Sequence, residues 1–104
     1  MTPPRRNMDI VLYLYDLRAR TDAIPILKTA LKALDTAMAV VPGYGGSEVL
    51  RQHGDENRIV VLERWTSIEA HDAGSSAVPA DIMRTMRESL AEKPVQSILT
   101  DAEA

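Results

Sequence analysis

The strongest constraint on the fold is an apolar stripe of helical spacing in the first half of the chain. Its residues lie three, four, three, four and three positions apart: Ile24, Leu27, Leu31, Leu34, Met38 and Val41. This spacing places all of them on one face of an α-helix, which must be buried against another element. Thr21 or Asp22 is predicted to cap the helix, with Pro25 in its first turn. Pro42-Gly43 is predicted to end it.

The segments around this helix predict a small sheet. Four runs rich in aliphatic and β-branched residues predict strands: Met8–Leu17, Ser47–Gln52, Arg58–Thr66 and Val95–Leu99. A short helix capped by Ser67 should run through Ala73, where glycine and serine break it, and a longer helix should cover Pro79–Ala91. The resulting β-α-β-β-α-β order is that of the ferredoxin-like split βαβ unit. We therefore expect an α+β fold with a four-stranded antiparallel sheet and helices on one face.

The length of 104 residues predicts one domain. We expect it to span residues 8–100, with a mobile arm at 1–7 and a tail at 101–104. Arg5 and Arg6 before an apolar run resemble a signal peptide, but Asp9 and Asp16 at the two ends of the run favour a strand. No apolar stretch approaches the roughly 20 residues that span a bilayer. The absence of cysteine suits a reducing cytoplasm, which is the predicted location.

Both sides of the predicted sheet are apolar. The third strand has Val60 and Leu62 on one side and Ile59, Val61 and Trp65 on the other. Helices cover only one face of a ferredoxin-like sheet, so the second apolar face predicts an interface. We expect two copies to pair sheet to sheet as a homodimer. The net charge of −3 and the lack of an extended basic cluster argue against nucleic-acid binding.

Two residues of the third strand are candidates for a site. Trp65 and Glu63 share a strand face because side chains alternate along a strand. Trp65 either fills the core alone or also forms a pocket wall. Glu63 either pairs with an arginine or has a raised pKa beside the tryptophan.

The chain has two histidines with different contexts. His71 follows Ile68 by three positions on the short helix, so it either faces inward as an acid or base or is solvated. His53 stands beside Gly54 in a hairpin loop, where a turn role is expected. The two are far apart in sequence and form no metal-ligand pattern.

The last helix has an apolar stripe with an arginine beside it. The stripe consists of Ile82, Met83, Met86 and Leu90. Arg87 lies at its edge and is a candidate partner for Glu63 or for a ligand oxygen, unless it simply extends into solvent. Met83 and Met86 belong either to the core or to an adaptable ligand wall. Tyr13 and Tyr15, on one face of the first strand, line either the pocket or the dimer interface.

Two segments, 41–50 and 57–73, resemble the antibiotic biosynthesis monooxygenase family of dimeric α/β barrels. The shared features are Pro42-Gly43 before the second strand, Glu63-Arg64-Trp65 at the end of the third, and Glu69-Ala70-His71 in the short helix. The resemblance implies a pocket between sheet and helices. It also implies oxygenation of aromatic polyketides, quinols or haem without a flavin or metal, with the substrate supplying the electrons.

The residues and the resemblance together give a candidate site. His71, Glu63 and Arg87 are the candidate catalytic residues. The candidate substrate-binding residues are Trp65, Val61, Tyr13, Tyr15, Met83 and Met86. No metal or other cofactor is expected. The pattern favours an enzyme acting on an aromatic or polycyclic compound.

Differences from the family pattern keep other functions open. The oxygenases commonly have an asparagine where this chain has Val61, and often another near Leu14 and Tyr15. Gly74 stands where many relatives have a second histidine. A cyclase or isomerase that uses acid–base catalysis, or a non-enzymatic binding protein or stabilising subunit, therefore remains an alternative.

Overall fold

A computed structural model describes residues 10–102; the predicted mobile arm, residues 1–7, lies outside them. The described elements follow the predicted order, with a turn of 3-10 helix added at Ser75–Ala77. Their bounds are β1 Val11–Arg18, α1 Ile24–Met38, β2 Tyr44–Arg51, β3 Arg58–Trp65, α2 Ile68–Gly74, α3 Ala80–Ser89 and β4 Val95–Leu99. None of the helices in this described part is long and apolar enough to cross a membrane.

The four strands form one antiparallel sheet in the order β2-β3-β1-β4. The two central strands, β1 and β3, come from distant parts of the sequence and pair along their full length, with Tyr13 opposite Glu63 and Tyr15 opposite Val61. The predicted ferredoxin-like arrangement is confirmed. Because β1 and β3 are central, the residues on their covered face form the floor of any pocket under the helices.

The two faces of the sheet differ in burial. On β3, the alternate residues Ile59, Val61, Glu63 and Trp65 are buried beneath the helices, while the residues between them are half-exposed. The cross-strand register places Tyr13 and Tyr15 on the covered face of β1. These tyrosines therefore lie on the pocket side of the sheet, not on the face where a second copy is expected.

Helix α1 buries its predicted stripe but begins differently from the prediction. Leu27, Leu31 and Met38 are buried against the sheet. The predicted caps are wrong, because Ala23 occupies the capping position and no side chain accepts a hydrogen bond there. Asp22 has a φ of 67° and closes a tight turn, so the extended backbone that a capping side chain requires is absent.

Two glycines allow close contact around Trp65. A Cβ on Gly43, whose φ is +88°, would lie 2.6 Å from Cβ of Ala70, so only glycine fits where the chain leads into β2. Helix α2 ends at Gly74, one residue beyond the predicted Ala73, and Gly74 is buried. A Cβ on Gly74 would lie 2.8 Å from Cη2 of Trp65. The missing side chain lets α2 rest directly on the indole.

Helix α3 is shorter than predicted because of Leu90. The prediction extended to Ala91, but the helix ends at Ser89 and Leu90 adopts an extended backbone. Leu90 forms an isolated antiparallel bridge with Ala19, and its side chain is buried in the core. Burial of this leucine between β1 and the helices therefore overrides the helical pattern of the sequence.

Candidate functional site

A cavity of about 290 Å³ lies between the covered face of the sheet and the three helices. Its volume is near the lower end of the roughly 300–1,000 Å³ typical of small-molecule sites. Aliphatic and methionine side chains form most of its wall. The polar residues that line it are Tyr15, Glu63, His71, Ser75 and Arg87. Such a space suits a flat, mostly apolar ligand with a few oxygen atoms.

The structure brings most of the sequence-predicted site residues to this cavity. Eight of them line it: Tyr15, Val61, Glu63, Trp65, His71, Met83, Met86 and Arg87. Tyr13 does not line it but lies behind His71, with the two rings stacked. His53 is exposed in the loop between β2 and β3, as predicted.

Trp65 is both a core residue and a cavity wall. It is 1% exposed, and Tyr44 packs edge-on against it with ring centroids 5.3 Å apart. The indole Nε1 donates a hydrogen bond of 2.6 Å to Oε1 of Glu63. Trp65 therefore both fills the core and forms a pocket wall, because it packs against Tyr44 and also borders the cavity.

Glu63 is a buried carboxyl group beside the cavity. It is 7% exposed, and burial raises its pKa, although the Trp65 N–H donor and the nearby His71 oppose this shift. Within residues 10–102 it forms no ion pair with an arginine. The predicted pairing with Arg87 is thus absent: the Arg87 side chain lies exposed at the cavity edge and bonds to no other described residue.

His71 faces inward from α2. Its ring lies nearly parallel to that of Tyr13, at a centroid distance of 3.7 Å, and edge-on to Trp65 at 5.4 Å. Nε2 lies 3.2 Å from the Tyr15 hydroxyl, and Nδ1 lies 3.2 Å from a carboxylate oxygen of Asp72. An ionised carboxylate can only accept a hydrogen bond, so the proton is assigned to Nδ1 and Nε2 accepts from Tyr15.

Three polar residues around the site, Gln96, Asp72 and Tyr44, were not predicted as site residues from the sequence. Gln96 of β4 donates a 3.3 Å hydrogen bond to the Tyr15 hydroxyl, and Asp72 contacts His71. Tyr44 donates a short hydrogen bond to Asp35 of α1. The Tyr44 and Gln96 contacts depend on cross-strand register or helix placement, so only the adjacency of Asp72 to His71 was visible in the sequence.

The hydroxyl of Tyr13 is the one buried side-chain polar atom without a hydrogen-bond partner among the described residues. Burial, followed by the charges of Asp72 and Glu63, raises the pKa of this phenol. Burial also raises the pKa of Tyr15. Both tyrosines are therefore neutral donors at physiological pH. Residues 10–102 contain no cluster of three or more histidine, aspartate or glutamate side chains that could hold a metal ion.

Comparison with known proteins agrees with this architecture. The sequence pattern of the antibiotic biosynthesis monooxygenase family matches residues 14–76, and the chain belongs to that family. No curated protein matches the chain.

Solved structures share the fold over nearly the whole chain. A candidate antibiotic biosynthesis monooxygenase from Nitrosomonas europaea is 17% identical, with a TM-score of 0.81, covering 95% of this chain and 96% of its own. SnoaB, a cofactor-independent oxygenase from Streptomyces nogalater, is 16% identical, with a TM-score of 0.79, covering 92% and 96%. Rv0793 from Mycobacterium tuberculosis is 20% identical, with a TM-score of 0.73, covering 88% and 94%. At these identities the likeness establishes the fold alone.

The buried carboxyl of Glu63 predicts a pH-dependent stability difference. Its pKa is raised in the folded chain, so the folded state holds the proton more tightly than the unfolded state. The free energy of unfolding should therefore fall as pH rises through that raised pKa. Glu63→Gln stays neutral and keeps an oxygen for the Trp65 N–H. It should have a higher thermal midpoint than the wild type at pH 7 to 8, with the gap closing towards about pH 4.

Thermal unfolding curves recorded by circular dichroism across this pH range give the difference in thermal midpoint between Glu63→Gln and the wild type. Glu56→Gln, in the exposed hairpin loop, is the control and should leave the midpoint unchanged. A Glu63→Gln midpoint below that of the wild type at neutral pH, or a gap independent of pH, would contradict the interpretation.

Proposed function

We propose that this chain is a cofactor-independent oxygenase of an aromatic or polycyclic compound, of polyketide-like or quinol-like type. The observation that carries the proposal is the polar edge of an otherwise apolar cavity, where His71 and Tyr15 meet beside the buried pair Glu63–Trp65. Flat rings would lie against Trp65 and the flexible side chains of Met83 and Met86. Family membership and the fold shared with SnoaB support the same class of activity.

The chemistry assigns roles to most of the polar residues of the cavity. The proton of the bound phenol or enol passes to His71 by way of the Tyr15 hydroxyl, leaving an electron-rich anion. That anion supplies the electrons that reduce molecular oxygen: a ring CH₂ becomes a carbonyl, and the second oxygen atom leaves as water. Arg87 stabilises the negative charge at the cavity edge, and Glu63, when protonated, donates a hydrogen bond to a ligand carbonyl. No flavin or metal takes part in this scheme.

One observation favours a second candidate. Val61 presents an apolar side chain to the cavity at a position where the family resemblance suggests a polar one. A cavity with His71 and Glu63 but no amide side chain at the position of Val61 is also suited to cyclisation or isomerisation by acid–base catalysis alone. A binding protein that catalyses no reaction is the third candidate function.

Oxygen uptake separates these functions. With anthrone as the test compound, an oxygen electrode should record one molecule of oxygen consumed per anthraquinone formed, above the rate without protein. His71→Ala should lower this rate by about 10²-fold, since the proton acceptor is lost. His53→Ala, which removes the exposed loop histidine, should leave it unchanged.

Conversion of the ligand under strict anaerobiosis would support the acid–base alternative. Binding without turnover in either condition would contradict both enzymatic proposals. Equal rates for the wild type and His71→Ala would remove His71 from the mechanism.

The proposal includes a homodimer joined through the uncovered sheet face. On that face Leu50 and Leu99 are 47% and 40% exposed, beside the half-buried Val60 and Leu62. No described helix covers them. Four charged residues of the face form two ion pairs, Asp16 with Arg58 and Glu48 with Arg64, and this pairing lowers the cost of burying them. A cytoplasmic location also belongs to the proposal and rests on the absence of cysteine.

Leu62→Asp tests the dimer. It should shift the protein from dimer to monomer at micromolar concentration, because it buries an unpaired charge at the interface. Light scattering measures the mass. Val40→Asp, which alters an exposed apolar residue after α1, is the matched control and should stay dimeric. A wild-type monomer, or an unaltered dimer in Leu62→Asp, would contradict this interface.

A further inference from the structure

Four side chains form a continuous hydrogen-bonded series across the cavity edge. The amide of Gln96 donates to the Tyr15 hydroxyl at 3.3 Å, which meets Nε2 of His71 at 3.2 Å. Nδ1 of His71 then meets Asp72 at 3.2 Å. The series begins on the edge strand β4, passes the cavity and ends on the outer side of α2.

The hydrogen bonds of this series all run in one direction, from Gln96 towards Asp72. The Gln96 amide nitrogen can only donate, so the Tyr15 oxygen accepts from it and the Tyr15 proton is directed to Nε2 of His71. Nδ1–H then donates to Asp72. A phenolic oxygen has two lone pairs, and Gln96 occupies one of them. The second remains for a ligand hydroxyl, because Tyr15 lines the cavity.

Burial changes sharply at the last step of the series. Tyr15 and His71 are both half-buried, with the His71 side chain 16% exposed, whereas the side chain of Asp72 is 72% exposed. The imidazole therefore bonds to the cavity through one nitrogen and to the surface through the other. Stacking on Tyr13 and the edge contact with Trp65 hold the ring in this plane.

The other charged groups near His71 do not connect its imidazole to solvent by hydrogen bonds. Glu63 of β3 lies inside the cavity wall, and its hydrogen bond is with Trp65, not with His71. Glu69 of α2 makes no hydrogen bond with the imidazole, and Arg87 of α3 can only donate. Asp72 is thus the carboxylate in contact with His71 that also reaches water.

We infer that Tyr15, His71 and Asp72 form a proton relay that carries the proton of a bound phenol from the cavity to solvent, with Gln96 as a positioning residue. This inference rests on the proposed function for its substrate. The ligand O–H bond breaks as a new O–H bond forms on Tyr15, whose own proton passes to Nε2 of His71. The Nδ1 proton moves to the Asp72 carboxylate and from there to water. No electrons are transferred in this step.

The tautomer of His71 provides a test that needs no turnover. Nitrogen-15 NMR of the ligand-free protein should show neutral His71 with its proton on Nδ1. A proton on Nε2 would overturn the relay, since Tyr15 would then have no acceptor.

Proton release on ligand binding tests the path itself. The wild type is mixed in a stopped-flow instrument, without oxygen and in weak buffer, with 1-naphthol, whose hydroxyl is its single acidic group. A pH indicator follows the released proton. Asp72→Asn should slow this release about tenfold, and added imidazole buffer should restore it. Glu69→Gln, an exposed carboxylate on the same helix, should release protons at the wild-type rate. Tyr15→Phe should bind 1-naphthol without release.

The outcomes distinguish this inference from the proposed function. Release by Asp72→Asn at the wild-type rate in weak buffer, or binding of 1-naphthol to the wild type without release, would overturn the relay. The Nδ1 tautomer with slowed, buffer-restored release would support it even if anthrone consumed no oxygen. That last result would count against the oxygenase proposal alone.

Discussion

The hydrogen bond between the Trp65 indole and the Glu63 carboxyl is the interaction on which the rest of this site depends. It joins two buried residues of one strand face and satisfies the only donor that a tryptophan side chain has. The indole can therefore lie within the core with almost no exposure. Gly74 and Gly43 allow α2 to lie close against it, so the position of His71 follows from the packing of Trp65.

This packing also determines the electrostatics of the cavity. The same burial that places Glu63 beside the indole raises its pKa, because the ionised carboxylate loses water without gaining an ion pair. His71 lies close by, and its Nδ1 contacts the exposed Asp72. A carboxyl group with a raised pKa and an imidazole thus lie next to one apolar space. Two titratable groups in contrasting surroundings are typical of acid–base sites.

The sequence predicted the fold well because its constraints are local. The spacing of Leu27, Leu31 and Met38 determines a helix face, and strand alternation correctly placed Trp65 and Glu63 together. The inward orientation of His71 was one of two open interpretations, and only packing against Tyr13 resolved it. Arg87 reaches the cavity edge as the helical period predicted, but its expected partner Glu63 bonds to Trp65 instead.

The features that escaped prediction depend on contacts between distant segments. Gln96 meets Tyr15 only because β4 pairs with β1 in one register, which no pattern within β4 specifies. The tight turn at Asp22 and the extended backbone of Leu90 arise where the chain must cross between layers, so tertiary packing overrides local propensity there. The end of α2 at Gly74 was predicted to within one residue, but its close contact with Trp65 lies outside the sequence neighbourhood and was not predicted.

Titration of Trp65 fluorescence with anthraquinone, a flat and unreactive ligand, tests the central claim most directly. The chain has a single tryptophan, so its emission reports on the cavity wall alone. Saturable quenching with one ligand per chain is expected. Val61→Phe, which fills the cavity, should abolish it, while Val49→Phe on the exposed part of β2 should not. Unchanged or non-saturating emission in the wild type, or equal quenching in folded Val61→Phe, would contradict an aromatic site at this position.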